Sequence, residues 1–103
     1  MGEFVKVGTT SELEQLDAGK LVEAGGHSIA LFHVGGAYYA IENTCTHRGG
    51  SLSEGMLSEH EVTCPWHGAR FDVRTGAVLG PPASEGVKSF PVRVNGADVE
   101  VEV

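Results

Sequence analysis

The stretch Val92–Val101 reads VRVNGADVEV and is the most regular in the chain. Apolar and polar residues alternate on both sides of its centre, which is the pattern of a strand with one buried face. The pair Asn95-Gly96 supplies the positive φ angles that a type I′ turn requires at both central positions. The stretch therefore predicts a β-hairpin that turns at Asn95 and Gly96.

Short alternating segments recur through the first half of the chain, with glycines between them. They predict strands at residues 4–7, 20–23, 27–34 and 37–42. The pair Gly35-Gly36 predicts the turn between the last two of these strands.

One short helical turn is expected after the first strand. Ser11 and Glu14 stand three residues apart, which is the spacing of a capping box, and the turn should end near Gln15 or Leu16. A series of short strands with almost no helix predicts an all-β fold, either a sandwich or a barrel.

Length and charge exclude several classes of protein. The chain has 103 residues, which fits a single domain over 1–103. Its 7 basic residues against 14 acidic ones give a net charge of -7, which argues against binding to nucleic acid or anionic lipid. The N-terminus lacks a signal-peptide pattern, and no apolar run approaches the roughly 18 residues that span a bilayer. We therefore expect a soluble, cytoplasmic protein with no nucleic-acid or membrane partner.

The segment 43–82 departs from the strand pattern. It contains both cysteines, the only tryptophan, three of the five histidines and three of the four prolines. We predict that this segment is a functional lobe inserted in the β scaffold.

Two pairs of metal-ligand residues lie in this lobe. They are Cys45-Thr46-His47 and Cys64-Pro65-Trp66-His67, separated by sixteen residues. Thiolate and imidazole are ligands that transition metals prefer, and two cysteines are too few for a disulfide framework. Three interpretations are open: unrelated side chains, one tetrahedral zinc, or a [2Fe–2S] centre with two cysteines on one iron and two histidines on the other. Zinc modules usually open with two cysteines in one pair, whereas each pair here mixes Cys with His.

The segments Cys45–Gly50 (CTHRGG) and Cys64–Asp72 (CPWHGARFD) resemble the two cluster-binding boxes of Rieske proteins, with the spacing of small Rieske ferredoxins. Tyr39–Asn43 before the first box and Gly80–Pro82 after the second are also similar to that family. The resemblance implies an antiparallel Rieske-type β-sandwich with a small cluster-binding subdomain, and one [2Fe–2S] cluster per chain.

The same resemblance implies the ligand set. Cys45 and Cys64 would bind the inner iron, and His47 and His67 the outer iron near the surface. No residue is assigned a catalytic role.

Departures from the pattern separate the subfamilies. Gly50 and Trp66 stand where Rieske subunits of cytochrome bc complexes carry two further cysteines, so the disulfide between their loops cannot form here. Ala69 and Phe71 replace the Ser and Tyr that donate to cluster sulfur in that subfamily. Fewer donors stabilise the reduced cluster less, so we expect a potential toward the lower end of the range of roughly -150 to +300 mV.

A terminal oxygenase would need a second domain with a mononuclear iron, for which 103 residues leave no room. The histidines outside the boxes, His27, His33 and His60, do not form such a ligand set and are predicted to be strand or loop residues.

The resemblance therefore implies a one-electron carrier rather than an enzyme. It would be a monomer that passes electrons from an NAD(P)H-dependent flavoprotein reductase to a terminal Rieske oxygenase of aromatic catabolism. The alternative is the small Rieske-like subunit of an assimilatory nitrite reductase.

The lobe should also present a surface on which redox partners can dock. We expect an apolar tip around Trp66, Pro81 and Pro82, although core packing for Trp66 and a plain rigid turn for the prolines are equally open. Arg48 and Arg70 are predicted to form structural ion pairs in preference to partner contacts.

Overall fold

A computed structural model gives the fold and describes residues 3–13, 19–43, 51–64, 68–80 and 86–103. The strands are β1 (Phe4–Thr9), β2 (Lys20–Ala24), β3 (His27–Val34), β4 (Ala37–Glu42), β5 (Met56–Ser58), β6 (Glu61–Thr63), β7 (Arg70–Asp72), β8 (Val78–Gly80), β9 (Ser89–Phe90), β10 (Val92–Asn95) and β11 (Asp98–Glu102). A short helix, α1, covers Thr10–Leu13, and a 3₁₀ helix covers Leu52–Glu54.

The strands form three antiparallel sheets. The first has the order β1-β11-β10, the second β2-β3-β4-β9 and the third β5-β6-β7-β8. The predicted all-β, antiparallel fold is confirmed. The strands predicted at 20–23, 27–34 and 37–42 correspond to β2, β3 and β4, and Gly35 and Gly36 have the positive φ angles expected of their turn.

The C-terminal hairpin turns one residue later than predicted. Asn95 pairs with Asp98 as the last rung of the ladder, so Gly96 and Ala97 form the turn. Of these two, Gly96 has the positive φ, at 64°. A positive φ at the first central position alone is the pattern of a type II′ turn, so the predicted type I′ turn is wrong.

The register of this hairpin explains the difference. With the turn at 96–97, Val94 lies opposite Val99, and Arg93 lies opposite Glu100, to which its guanidinium is ion-paired. A turn at 95–96 would move each partner by two residues and would place Arg93 opposite Asp98. Arg93 faces an acid in either register, but the observed register has two valine pairs, Val92 with Val101 and Val94 with Val99, and the other register would have one, so the apolar pairs favour the observed register.

Helix α1 begins earlier than the capping-box spacing indicated. β1 continues to Thr9, and Glu12 accepts from the Thr9 hydroxyl at 2.9 Å and from its amide at 3.2 Å. Because the Thr9 hydroxyl donates to it, the Glu12 carboxyl has a pKa below its usual 4.5. The capping pair is thus Thr9 and Glu12, and Ser11 lies inside the helix and not at its N-cap, as the prediction had it, whereas Glu14 lies outside the described residues. The predicted end of the turn lies outside the described residues.

Neither helix of the described part of the chain has the length and apolar character needed to cross a membrane.

Two hydrophobic clusters form the core, and β3 contributes to both. Ile29 and Leu31 pack in a cluster with residues of the first sheet, including Val99 and Val101. The alternate residues of β3 belong to the other cluster, which includes the third sheet. Its buried members are Ala30, Phe32, Ile41, Leu52, Val62, Cys64, Ala69, Phe71, Val73 and Val87. Because successive side chains of a strand point to opposite faces, β3 is buried on both sides and connects the scaffold to the third sheet.

Candidate metal centre

The strands of the third sheet end side by side in one row, which we call the edge of this sheet, and two predicted functional segments adjoin that row. Its strands pair in sequence order, and Met56, Thr63, Arg70 and Gly80 form the row of residues at that edge. Thr63 directly precedes Cys64, and Gly80 directly precedes residues 81–85, which include the two prolines. The chain therefore leaves the sheet at this edge both for the second ligand pair and for the prolines.

Cys64 is the one predicted ligand that the structure describes. It is 2% exposed and carries a free thiol within the same hydrophobic cluster as Phe71. Its amide donates to the carbonyl oxygen of Ala69 at 2.7 Å, and its own carbonyl accepts from Gly68 at 3.1 Å. These two bonds hold together the chain on either side of residues 65–67.

The surroundings of Cys64 fit a buried ligand of a metal centre. A thiolate in an apolar environment is unfavourable unless a cation compensates its charge, and a bound iron supplies that charge. Gly68 has φ 75°, and a Cβ built on it would meet no described atom within 4 Å. The positive φ favours glycine at this position, directly after residues 65–67.

The other three predicted ligands, Cys45, His47 and His67, lie outside the described residues, as do Arg48, Trp66, Pro81 and Pro82. Within the described ranges, no group of three or more His, Cys, Asp or Glu side chains could hold a metal ion.

The three remaining histidines occupy strands or a turn, as predicted. His27 lies 5.4 Å from the Phe90 ring, measured between ring centres, and His33 stacks on Tyr38 at 4.7 Å. His60, in the turn between β5 and β6, makes an edge-on contact with Tyr39 at 5.7 Å.

The two positions at which the resemblance predicted that a hydroxyl donor is missing are wholly apolar. Ala69 and Phe71 are both 0% exposed and pack in the cluster that contains Cys64. Neither side chain can donate a hydrogen bond to sulfur.

Arg70 is confirmed as an ion-paired residue. Its Nη1 lies 3.2 Å from Glu61 Oε1, across neighbouring strands of the third sheet. Both side chains are substantially exposed, so the pair contributes little to stability. Its effect is to hold the Arg70 side chain along the sheet.

Asp72 and Arg74 hold the turn that follows β7. The guanidinium of Arg74 donates to both carboxylate oxygens, at 3.1 and 3.0 Å, and the Arg74 amide donates at 2.9 Å. Because the Arg74 side chain donates to it, the Asp72 carboxyl has a pKa below its usual 3.8, and the pairing raises the pKa of Arg74.

Two residues to which the sequence patterns assigned no structural role hold the ends of the functional segments, although the first of them, Asn43, ends the stretch Tyr39–Asn43 that resembles the family. Asn43 is 6% exposed and bonds to residues that follow segment 44–50. Gly76, with φ 80°, accepts from the Val87 amide at 2.8 Å, just beyond residues 81–85. The available signals were weak: an asparagine after the apolar pair Ala40-Ile41, and one glycine among 15.

Comparison with known proteins agrees with this geometry. Residues 3–91 match the model of the Rieske [2Fe-2S] domain. The ferredoxin component of a naphthalene 1,2-dioxygenase system from Pseudomonas aeruginosa is 39% identical over 82 residues, which cover 80% of this chain and 79% of that protein.

Solved structures show the same similarity. The ferredoxin of carbazole 1,9a-dioxygenase from Nocardioides aromaticivorans IC177 superposes with a TM-score of 0.91 at 32% identity, over 95% of both chains. A chain from a complex of reduced oxygenase and oxidised ferredoxin in carbazole 1,9a-dioxygenase gives 0.88 at 36% identity, over 95% of this chain and 91% of that one.

A chain described as an NADH-dependent nitrite reductase small subunit from Mycobacterium tuberculosis has a TM-score of 0.89 over 100% of this chain and 96% of that one. At 21% identity this likeness concerns the fold alone. The family match and the 39% identity decide the affiliation: the chain belongs to the Rieske [2Fe-2S] domain family, and a Rieske-type cluster is its cofactor.

Proposed function

We propose that this protein carries single electrons from an NAD(P)H-dependent flavoprotein reductase to a terminal Rieske oxygenase that acts on aromatic compounds. The observation that carries the proposal is the match to a dioxygenase ferredoxin over 95% of both chains. The match covers nearly the whole of a ferredoxin, and the curated relatives are likewise named as ferredoxin components. The protein is thus an electron-transfer component rather than an enzyme.

The ligand assignment is part of the proposal. Cys45 and Cys64 bind one iron, and His47 and His67 bind the other. The cluster, when bound, takes up and releases one electron. The chain's own contribution is to bury Cys64 within an apolar cluster, which keeps water from that side of the site.

Partner approach should occur at the edge of the third sheet from which the second ligand pair leaves. Met56 lies in the row at that edge and is 78% exposed, the highest exposure among the large apolar side chains described. Transient redox complexes use small interfaces, so a few exposed apolar atoms near the ligands are enough to support docking. We propose that the protein acts as a monomer there, since a carrier must present the same edge to two partners in turn.

The charge distribution favours basic partners. Four basic side chains are neutralised by ion pairs within the protein, namely Lys6, Arg70, Arg74 and Arg93. Exposed acidic side chains for which the described residues provide no ion pair include Glu3, Glu23, Glu54 and Glu59. This excess of negative charge would attract a positively charged docking surface over a distance of roughly 10 Å at moderate salt.

The chain is proposed to be one Rieske domain, with residues 43–82 as its cluster-binding lobe. A cytoplasmic location is also part of the proposal, because a reducing compartment keeps both cysteines available as ligands.

The first test is the metal content. Anaerobically purified protein should contain two irons and two sulfides per chain, and the reduced form should give a rhombic EPR signal with an average g value below that of the free electron. One zinc per chain without iron would refute the cluster. Replacing His47 or His67 by Cys should lower the potential or abolish cluster binding, because a thiolate adds negative charge to the outer iron.

The second test is a reconstituted electron-transfer assay. The reduced protein is mixed with a candidate Rieske oxygenase or with a sirohaem nitrite reductase, and reoxidation is followed by visible absorbance. Fast reoxidation by the oxygenase supports the proposal. Binding to the nitrite reductase without electron transfer to the oxygenase would favour the alternative role.

A further inference from the structure

Asn43 bridges the two ends of the segment that contains Cys45 and His47. Its Nδ2 donates to Ser51 Oγ at 3.1 Å, and its Oδ1 accepts from the Ser53 amide at 2.8 Å. Its carbonyl oxygen accepts from the Leu52 amide at 2.7 Å. Three successive residues that follow segment 44–50 are therefore bonded to the residue that precedes it.

The orientation of the Asn43 amide follows from its partners. The Ser53 amide can only donate, so the atom that faces it must be the oxygen. The nitrogen then faces the Ser51 hydroxyl, which has lone pairs to accept. With 6% of Asn43 exposed, water cannot readily replace either partner.

Asn43 also replaces the expected cap of the 3₁₀ helix Leu52–Glu54. Ser51 stands at the N-cap position, but its side chain makes no capping bond to the helix. Asn43 instead accepts from the first two helical amides, those of Leu52 and Ser53. The start of the helix is therefore fixed by a residue nine to ten positions earlier in the chain, rather than by its own N-cap.

This helix follows the segment that contains the first ligand pair and packs into the hydrophobic cluster that contains Cys64. Leu52 is 0% exposed and lies in the hydrophobic cluster that contains Cys64. The following Gly55 lies so close to the backbone of Thr63 that a Cβ would overlap the Thr63 carbonyl oxygen. The chain that leaves segment 44–50 is thus packed directly against the residue before Cys64.

At its other side, Asn43 is attached to the scaffold. Its amide donates to the Ser28 carbonyl at 3.0 Å. The preceding residue, Glu42, donates from its amide to the Lys88 carbonyl and accepts from the Lys88 amide through Oε1. Asn43 is therefore bonded to β3, and its neighbour Glu42 is bonded to Lys88, which lies after residues 81–85.

We propose that Asn43 is a positioning residue for the cluster, which sets the distance between the Cys45–His47 pair and the Cys64 side of the site. The inference rests on the proposed function only in its ligand assignment. Both side-chain bonds of Asn43 join the residues on the two sides of segment 44–50, so their loss weakens the attachment between the ends of that segment.

The test compares Asn43→Ala with two matched variants of the full-length, cluster-loaded protein. Ser51→Ala removes one of the two side-chain bonds of Asn43, and Ser51→Thr keeps a hydroxyl that can accept that bond. Val99→Ala, in the other hydrophobic cluster, serves as a control for general loss of stability. The measurements are the EPR g values, the midpoint potential and the rate at which an iron chelator bleaches the visible absorbance.

Asn43→Ala should shift the g values and the potential and should bleach at least fivefold faster than the wild type. Ser51→Ala should lie between the two, and Ser51→Thr should match the wild type. Val99→Ala should unfold more easily in urea but keep wild-type g values and potential.

Two different failures are distinguishable. Wild-type g values and potential in Asn43→Ala, or changes no larger than those in Val99→Ala, would overturn the positioning role and leave the proposed function intact. A wild-type protein without the [2Fe–2S] signal would refute the proposed ligand set, and the positioning role with it.

Discussion

The Val87 amide donates to the carbonyl oxygen of Gly76 at 2.8 Å, and no side chain larger than hydrogen fits at Gly76 without meeting the Val87 carbonyl. This contact joins the turn after β7 to the chain that follows residues 81–85. Gly86 takes part as well, since a Cβ there would lie 2.5 Å from the Gly76 oxygen. Two glycines therefore permit a close backbone contact between the proposed cluster-binding lobe and the chain that follows it.

Replacing Gly76 by Ala should destabilise the protein through two effects. The positive φ of 80° strains a residue with a Cβ by about 1–2 kcal/mol, and the clash with Val87 adds to this. Gly96→Ala is the matched control, because its φ of 64° is similarly strained but nothing described lies within 4 Å of the added Cβ. Urea unfolding should show a larger loss for Gly76→Ala. Equal losses would mean that this contact relaxes at no cost.

Ala69→Ser should raise the midpoint potential. A hydroxyl at this buried position would restore a donor near cluster sulfur and stabilise the reduced state, by roughly 60 mV for each 1.4 kcal/mol in a one-electron couple. Ala30→Ser is the control, since Ala30 is equally buried in the same hydrophobic cluster but lies on β3. Spectroelectrochemical titration measures both variants. A rise of the same size in Ala30→Ser would assign the effect to general polarity instead.

Met56→Lys should slow electron transfer to the oxygenase by about tenfold, the effect of 1.4 kcal/mol at a docking surface. The exposed thioether lies at the edge where we propose docking, and an ammonium there would replace the apolar contact and repel the positively charged partner surface proposed above. Leu21→Lys provides a comparison, because Leu21 is 51% exposed on β2 in a different sheet. Stopped-flow reoxidation at varied oxygenase concentration measures the rate, and equal rates for the two variants would place docking elsewhere.

Acid should remove part of the stability through Asp72. Its pKa is lowered in the folded state by the hydrogen bond from Arg74, so the favourable pairing is fully present above the unfolded value near 3.8. It is lost as the pH falls through the lower folded value. Asp72→Asn should therefore be less stable than the wild type at neutral pH, and the difference should shrink on acidification below pH 4. Urea unfolding at several pH values tests this, and a difference that grows toward low pH would contradict it.

Local patterns predicted the local elements well. β3 and β4 have alternating or apolar runs of six to eight residues and a Gly-Gly turn, so their bounds follow from neighbouring residues alone. The three-residue strands β5 to β8 are too short to show a period, and the pairings β1 with β11 and β4 with β9 join distant segments. Such pairings depend on the packing of the whole chain rather than on local sequence.

The candidate site divides in the same way. The two Cys-His pairs and their spacing predict a transition-metal site, and the resemblance of both boxes to Rieske proteins predicts the type of cluster. The residues that hold the ends of the functional segments do not follow from the sequence. Asn43 bonds to partners eight to ten residues away, and Gly76 accepts from the amide of Val87, eleven residues away. A single buried asparagine or a single glycine carries no pattern that reveals such a contact.

The position of β11 has a consequence for how the chain is made. It is the central strand of the first sheet, with β1 and β10 on its two sides, yet the ribosome synthesises it after every other described strand. The strands of the third sheet pair only with their neighbours in sequence, and both proposed ligand pairs precede residue 68. The nascent chain can thus present all four iron ligands before its two ends are able to meet.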